Sequence, residues 1–246
     1  MKRRDAETQR ATEEKVLSSA PLRLCGENIW LLWQLADSAF PIGGFGHSSG
    51  LEAAYQHREV TNRTELVAFL TASLTQLPHG ALPFVKAAHE GKTEFSEIDR
   101  LCDAFTSNHV ANRASRGQGQ ALLASGERSF GGEALKVLRA QVLDHELTGH
   151  LAPVFGAVMA ALEVNLVSTS RLFVFMQLRG MISAAVRLNI VGPLEAQSIQ
   201  HGLSARAEKA AVESGNLGLD GIAQTAPLLD LFQGSQDRLY SRLFQS

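Results

Sequence analysis

The sequence predicts an all-α protein built as one helical domain. Three observations carry that reading: from Asn28 onward apolar residues recur three and four positions apart, Gly, Pro and polar clusters cut them into helix-length segments, and no sustained alternation marks a set of strands. There is no internal repeat. A chain of 246 residues buries roughly 70–75% of its unfolded surface, so a single core is affordable on size alone.

Taken in order, residues 1–27 mix both charge signs without an apolar run and predict a solvated, disordered tail. The missing apolar run argues against a signal peptide, and Asp5, Glu7, Glu13 and Glu14, which interrupt the basic residues, argue against a mitochondrial presequence. The first helix is expected over Ile29 to Asp37, ended by Phe40-Pro41 and a glycine loop, and the second from His47 past Tyr55. A third covers Arg63 to Leu77 with Thr61 or Asn62 as its cap, and Pro78 and Gly80 break the pattern. Helices follow at Leu82 to His89, Ser96 to Asn108 and Ala111 to Ser125, then a linker from Gly126 to Gly132. In the next, Glu133 to Asp144, Leu135, Leu138, Val142 and Leu143 form the stripe a surface helix buries. Pro153 to Leu162, Arg171 to Leu188 and Pro193 to Glu213 complete the series, before a flexible stretch from Ser214 to Pro227 and a short closing segment.

Composition narrows the function classes. With 23 Lys and Arg against 25 Asp and Glu, the formal charge of −2 provides no footprint for nucleic acid or for an anionic membrane surface. Cys25 and Cys102 are isolated, which fits neither a disulfide scaffold nor a zinc ribbon and suits a reducing compartment. Gln177 and Arg179 interrupt the most apolar segment, so a buried helix is expected there and not a membrane span.

Two motifs invite a chemical reading. Gly46 to Gly50, GHSSG, spells the G-x-S-x-G of a serine hydrolase with Ser48 as nucleophile. That elbow requires a strand before the serine, whereas WLLWQLADSAFPIGG reads as a helix broken by Pro41. Gly44, Gly46 and Gly50 also miss the phosphate-loop spacing. His145 to His150, HELTGH, has one residue more than the zinc-protease pattern, and positions five apart point about 140° from one another on a helix. Structural or interfacial histidines are therefore expected, with a metal site on His145 and His150 as the lesser alternative. Asp37 is expected to bond loop backbone, and Glu52 to complement the dipole of the following helix.

The stretch LLWQLADSAFPIGGFGHSSGLEAA resembles the signature of the urease accessory protein F family, in which a helix ending in L-x-D-S precedes P-x-G-G-F-x-H-S-x-G-L-E. Four further stretches agree in order: ANRASRGQGQALL from Ala111, HLAPVFGAVMAAL from His150, SAAVRLNIVGPLEAQ from Ser183 and the terminal LYSRLFQS. The resemblance implies an all-helical, dimeric, non-catalytic chaperone for nickel insertion into urease in the cytoplasm, part of nitrogen metabolism. It further implies binding to accessory protein H or D, recruitment and regulation of the nickel-carrying GTPase accessory protein G, and the urease apoprotein as client. Nickel would be cargo in transit, with no tightly bound cofactor and no assigned metal ligand.

Carried onto this chain, the resemblance divides it into a tail (1–27), a helical domain (28–234) and a partner-docking segment (235–246). In the last, Asp237, Leu239, Tyr240, Arg242, Leu243 and Phe244 are the candidate contacts for the H/D protein. Arg187 falls in the region associated with the GTPase. The signature loop comprises Asp37, Ser38, Pro41, Gly43, Gly44, Phe45, His47, Ser48, Gly50 and Glu52, with a structural task. The chain departs from the family pattern at Gln236, where members commonly carry His before the acidic residue.

Overall fold

A computed structural model describes residues 28–144, 147–213, 215 and 217–246. The expected N-terminal tail, with Cys25, lies outside the described residues, as does His145. Among the described residues there are twelve α-helices and no strand. They are α1 Ile29–Ala36, α2 Leu51–Gln56, α3 Arg63–Gln76, α4 Leu82–Glu90, α5 Phe95–Phe105, α6 His109–Phe130, α7 Glu133–Asp144, α8 Leu151–Ala161, α9 Leu166–Arg187, α10 Pro193–Gly202, α11 Ser204–Glu213 and α12 Pro227–Ser235. Residues Ala36 to Ser246 form one compact unit, and the described residues before Ala36 belong to another.

Local chemistry explains the boundaries. The Asn62 side chain accepts from the Thr64 and Glu65 N–H groups and starts α3, and Asn108 does the same for α6 through Val110 and Ala111. Two glycines let helices cross at backbone contact. A Cβ on Gly156 of α8 would lie 2.1 Å from the Val85 carbonyl oxygen of α4, and one on Gly119 of α6 would lie 2.1 Å from the Gly149 carbonyl oxygen. Around these crossings α9 runs through the core, burying Leu172, Phe173, Leu178, Met181 and Ile182, with Phe173 edge-on to Phe155 of α8.

Three expectations are corrected. Helix α6 continues five residues past Ser125, because Gly126 is buried against Val158 of α8 and packing overrides glycine's poor helix propensity. The linker shrinks to Gly131 and Gly132, both with positive φ. Pro193 to Glu213 is two helices, broken at the buried Leu203. Leu143 is exposed, so the apolar stripe of α7 consists of Leu135, Leu138 and Val142.

Candidate functional site

The glycine loop and the C-terminal segment meet. Between α1 and α2 the chain turns at Gly43 (φ 75°), makes a single helical turn at Gly44–Gly46, and enters α2 through Gly50 (φ 85°). Gly50 has a second reason to be glycine, since a Cβ there would come within 2.9 Å of the Gln233 nitrogen of α12. Asp37 accepts from the Ala39 N–H at 2.9 Å, as expected, and the Pro41 carbonyl accepts from the Ser125 hydroxyl at 2.9 Å, which fixes the loop to α6.

Residues after α12 turn at Gln236–Arg238 and fold back over this loop. The Gln245 N–H donates to the Gly46 carbonyl at 2.8 Å, and the Ser48 N–H and hydroxyl both donate to the main-chain oxygen of Ser246, at 2.5 and 2.9 Å. His47 Nδ1 lies 2.6 Å from the Ser246 hydroxyl. Burial, helped by the positive field of Arg113, pushes the His47 pKa down, so the ring is neutral at pH 7.

Glu52 is the centre of the junction. It is 2% exposed, accepts from the Leu243 N–H at 2.6 Å, the Phe244 N–H at 3.0 Å and Gln236 Nε2 at 2.5 Å, and so satisfies three donors of the returning segment. Its predicted place in the first turn of α2 stands, but its charge is spent on the tail. Gln236 Nε2 also donates to the Phe244 carbonyl, and Gln236 Oε1 is buried without a partner among the described residues.

Arg187, at the end of α9, bridges loop and tail. Its guanidinium lies 3.8 Å from the Phe45 ring centroid and 4.1 Å from that of Phe244, and it donates to the Phe45 carbonyl at 2.5 Å. Outside this stack, Asp237 is held by Arg113 at 3.0 Å, Arg242 at 2.8 Å and His109 at 3.3 Å. The Arg113 hydrogen bonds chiefly hold its carboxyl below the usual range.

The candidate tail contacts thus separate into two groups. Phe244 is 4% exposed and serves as an internal anchor, whereas Tyr240 and Leu243 are 105% and 52% exposed and face outward. Leu239 is half-buried, and Asp237 and Arg242 pair with each other. Beneath the loop lies a cavity of about 740 Å³ bounded by Pro41, Phe45, Gln118, Phe155, Arg179 and Arg187.

The Ser48 hydroxyl is 0% exposed, follows a turn and not a strand, and is committed to Ser246, so it is not placed to attack a substrate. His150 is also buried: Nε2 faces Asp103 at 3.0 Å and Nδ1 faces the Ser115 hydroxyl at 3.1 Å. Its own N–H and those of Thr148 and Gly149 donate to the buried Asp99, an arrangement that seats the start of α8. Burial pushes the neighbouring Cys102 thiol up to about 12. Among the described residues, no group of three His, Cys, Asp or Glu side chains is placed to hold a metal ion.

Glu52 and Arg187 as tail-binding groups were missed in the sequence. Their partners lie 192 and 57 positions away in the chain, and no local pattern reports such a pairing.

A helical bundle whose most elaborated site is an arginine–aromatic stack locking a solvent-facing turn is built as an interaction protein. The family model described as UreF matches residues 60–204. Urease accessory protein F of Oryza sativa subsp. indica is 38% identical over 221 residues, covering 88% of this chain and 85% of that protein. Its namesake from Arabidopsis thaliana is 37% identical, covering 88% and 92%. An uncharacterized UreF-like urease accessory protein of Schizosaccharomyces pombe is 32% identical, covering 86% and 94%. The chain belongs to the UreF family.

Proposed function

We propose that this chain acts in urease maturation as an accessory chaperone and docking scaffold. The H/D accessory protein docks on the C-terminal turn, the face formed by Arg187 and Phe45 meets the nickel-carrying GTPase G, and the urease apoprotein is the client. The working unit is a homodimer in the cytoplasm, and nickel passes as cargo. Among the described residues no helix is long and apolar enough to cross a membrane. The scaffold acts by binding one state of its partners better than another, with no covalent step.

One observation carries this reading: the tail is fixed by its backbone and by Phe244, while Tyr240 and Leu243 remain exposed on it. Burying those two side chains against a partner supplies roughly 1.5–3 kcal/mol each before the costs of association. Because the turn is already ordered by intramolecular bonds, little of that gain goes to ordering it.

The test is co-expression of the full chain with the cognate H/D and G proteins, analysed by size-exclusion chromatography with light scattering. The chain alone should elute at about twice 26.6 kDa, and the three proteins should co-elute. A chain carrying Tyr240→Asp and Leu243→Asp should stay folded and lose H/D. Retention of H/D by that variant would remove the tail from the interface, and failure of the full chain to bind either partner would sink the scaffold reading.

A further inference from the structure

We infer that the outer face of α6 is a docking groove for an acidic segment of a partner protein. This surface lies on the stretch ANRASRGQGQ, which the tail junction uses only at one end. His109, Arg113, Arg116, Gly117 and Gln120 recur at intervals of three and four, so they share one side of the helix. With Ser107 and Asn112 they line an open groove of about 620 Å³ whose lining includes two arginines, with Asp237 capping one end on Arg113.

Gly117 gives the groove its floor. Glycine weakens a helix interior relative to alanine, and the cost is normally explained by a close neighbour. Gly119, two positions on, has such a reason, because a Cβ there would strike the Gly149 carbonyl. A Cβ on Gly117 would meet nothing within 4 Å. Its bare backbone instead leaves room for a second chain to approach α6 directly beside the two arginines.

The protein itself displays the chemistry of the occupant. At one end of the groove Arg113 receives Asp237 through a two-pronged contact at 3.0 and 3.1 Å, with His109 beside it. One helical turn further, about 5 Å along the axis, Arg116 has no ion pair within 4 Å among the described residues. Asp103 feels its charge from the flank, but that carboxylate is held by Asn112 and His150. An extended acidic segment continuing from the position of Asp237 would place a carboxylate on Arg116 and its backbone over Gly117.

The experiment uses the full chain and a short fluorescein-labelled peptide alternating Asp and Gly, with an Asn/Gly peptide as the neutral control, followed by fluorescence anisotropy. The acidic peptide should bind about tenfold more tightly than the control, with affinity falling as salt rises. Arg116→Gln should remove most of that preference, and Gly117→Leu should weaken binding several-fold at unchanged charge. Gly117→Ala should raise Tm, which separates the role of this glycine from folding. Equal affinity for the two peptides, or a Gly117→Leu protein that binds like the parent, overturns the inference. If Gly117→Leu lowers Tm, the comparison of peptides on the parent and on Arg116→Gln still decides.

Discussion

Replacing Glu52 by alanine removes the acceptor that holds the Leu243 and Phe244 N–H groups and the Gln236 amide. Hydrogen bonds to a charged group contribute about 1.5–3 kcal/mol each, so the two main-chain bonds together represent about 3–6 kcal/mol. Burial of Phe244, worth roughly 2–3 kcal/mol, opposes release of the tail but falls below the upper part of that range. The bundle does not depend on the tail for its glycine crossings, so the expected response is local: residues 241–246 open while α4, α8 and α9 keep their packing. Hydrogen exchange read by mass spectrometry should show protection of the Leu243 and Phe244 amides falling by about 10²–10⁴-fold. Glu52→Gln, which keeps one acceptor oxygen, should fall between. Protection within tenfold of the parent in Glu52→Ala would show that the carboxylate does not hold the segment, and the description of the junction would have to be rebuilt around Phe244 and Ser48.

Other substitutions probe the remaining contacts. Arg187→Lys keeps the charge but loses the planar stack between Phe45 and Phe244, costing about 1–2 kcal/mol; exchange at Phe244 should rise, and unchanged exchange would refute the clamp. Gly156→Ala places a methyl 2.1 Å from the Val85 carbonyl and should cost about 3 kcal/mol, read as a lower urea midpoint. His47 has a depressed pKa when folded, so the unfolded chain binds more protons below its ordinary value of about 6.5. Stability should therefore be full above that pH and decline as pH falls through the window beneath it, with His47→Gln flattening the dependence in urea titrations. Ser48→Ala loses its bond to Ser246 at about 1 kcal/mol, and no esterase activity should disappear with it.

The helices were legible wherever period and punctuation agreed. Asn62, Pro78 with Gly80, and Pro193 marked boundaries that the structure keeps, and Glu133–Asp144 was placed at its observed ends. Where tertiary packing outweighs local preference the sequence misleads: Gly126 reads as a linker, yet it is buried inside α6 against Val158 of α8. Leu143 fits the periodic stripe but is exposed. The candidate site was half legible. The loop glycines announced an unusual backbone, but Phe244, expected to contact a partner, is buried within the chain, and nothing local in GLE or SRLFQS shows that Glu52 is the acceptor for the other segment.

The pairing of loop and tail also imposes an order on synthesis. His47 and Ser48 find their partners in a residue made 199 and 198 positions later. At about 5–20 residues per second, that interval is roughly 10–40 seconds. Through that time the loop's N–H and carbonyl groups bond to water, while the helices between them can already assemble. The junction therefore closes late, and a ribosome that stops short of residue 241 releases a bundle without a finished loop. The closed form of the loop, with Ser48 bonded to Ser246 and Phe244 under Arg187, thus follows the packing of the helices, and the outward surface of Tyr240 and Leu243 is set after the bundle that carries it.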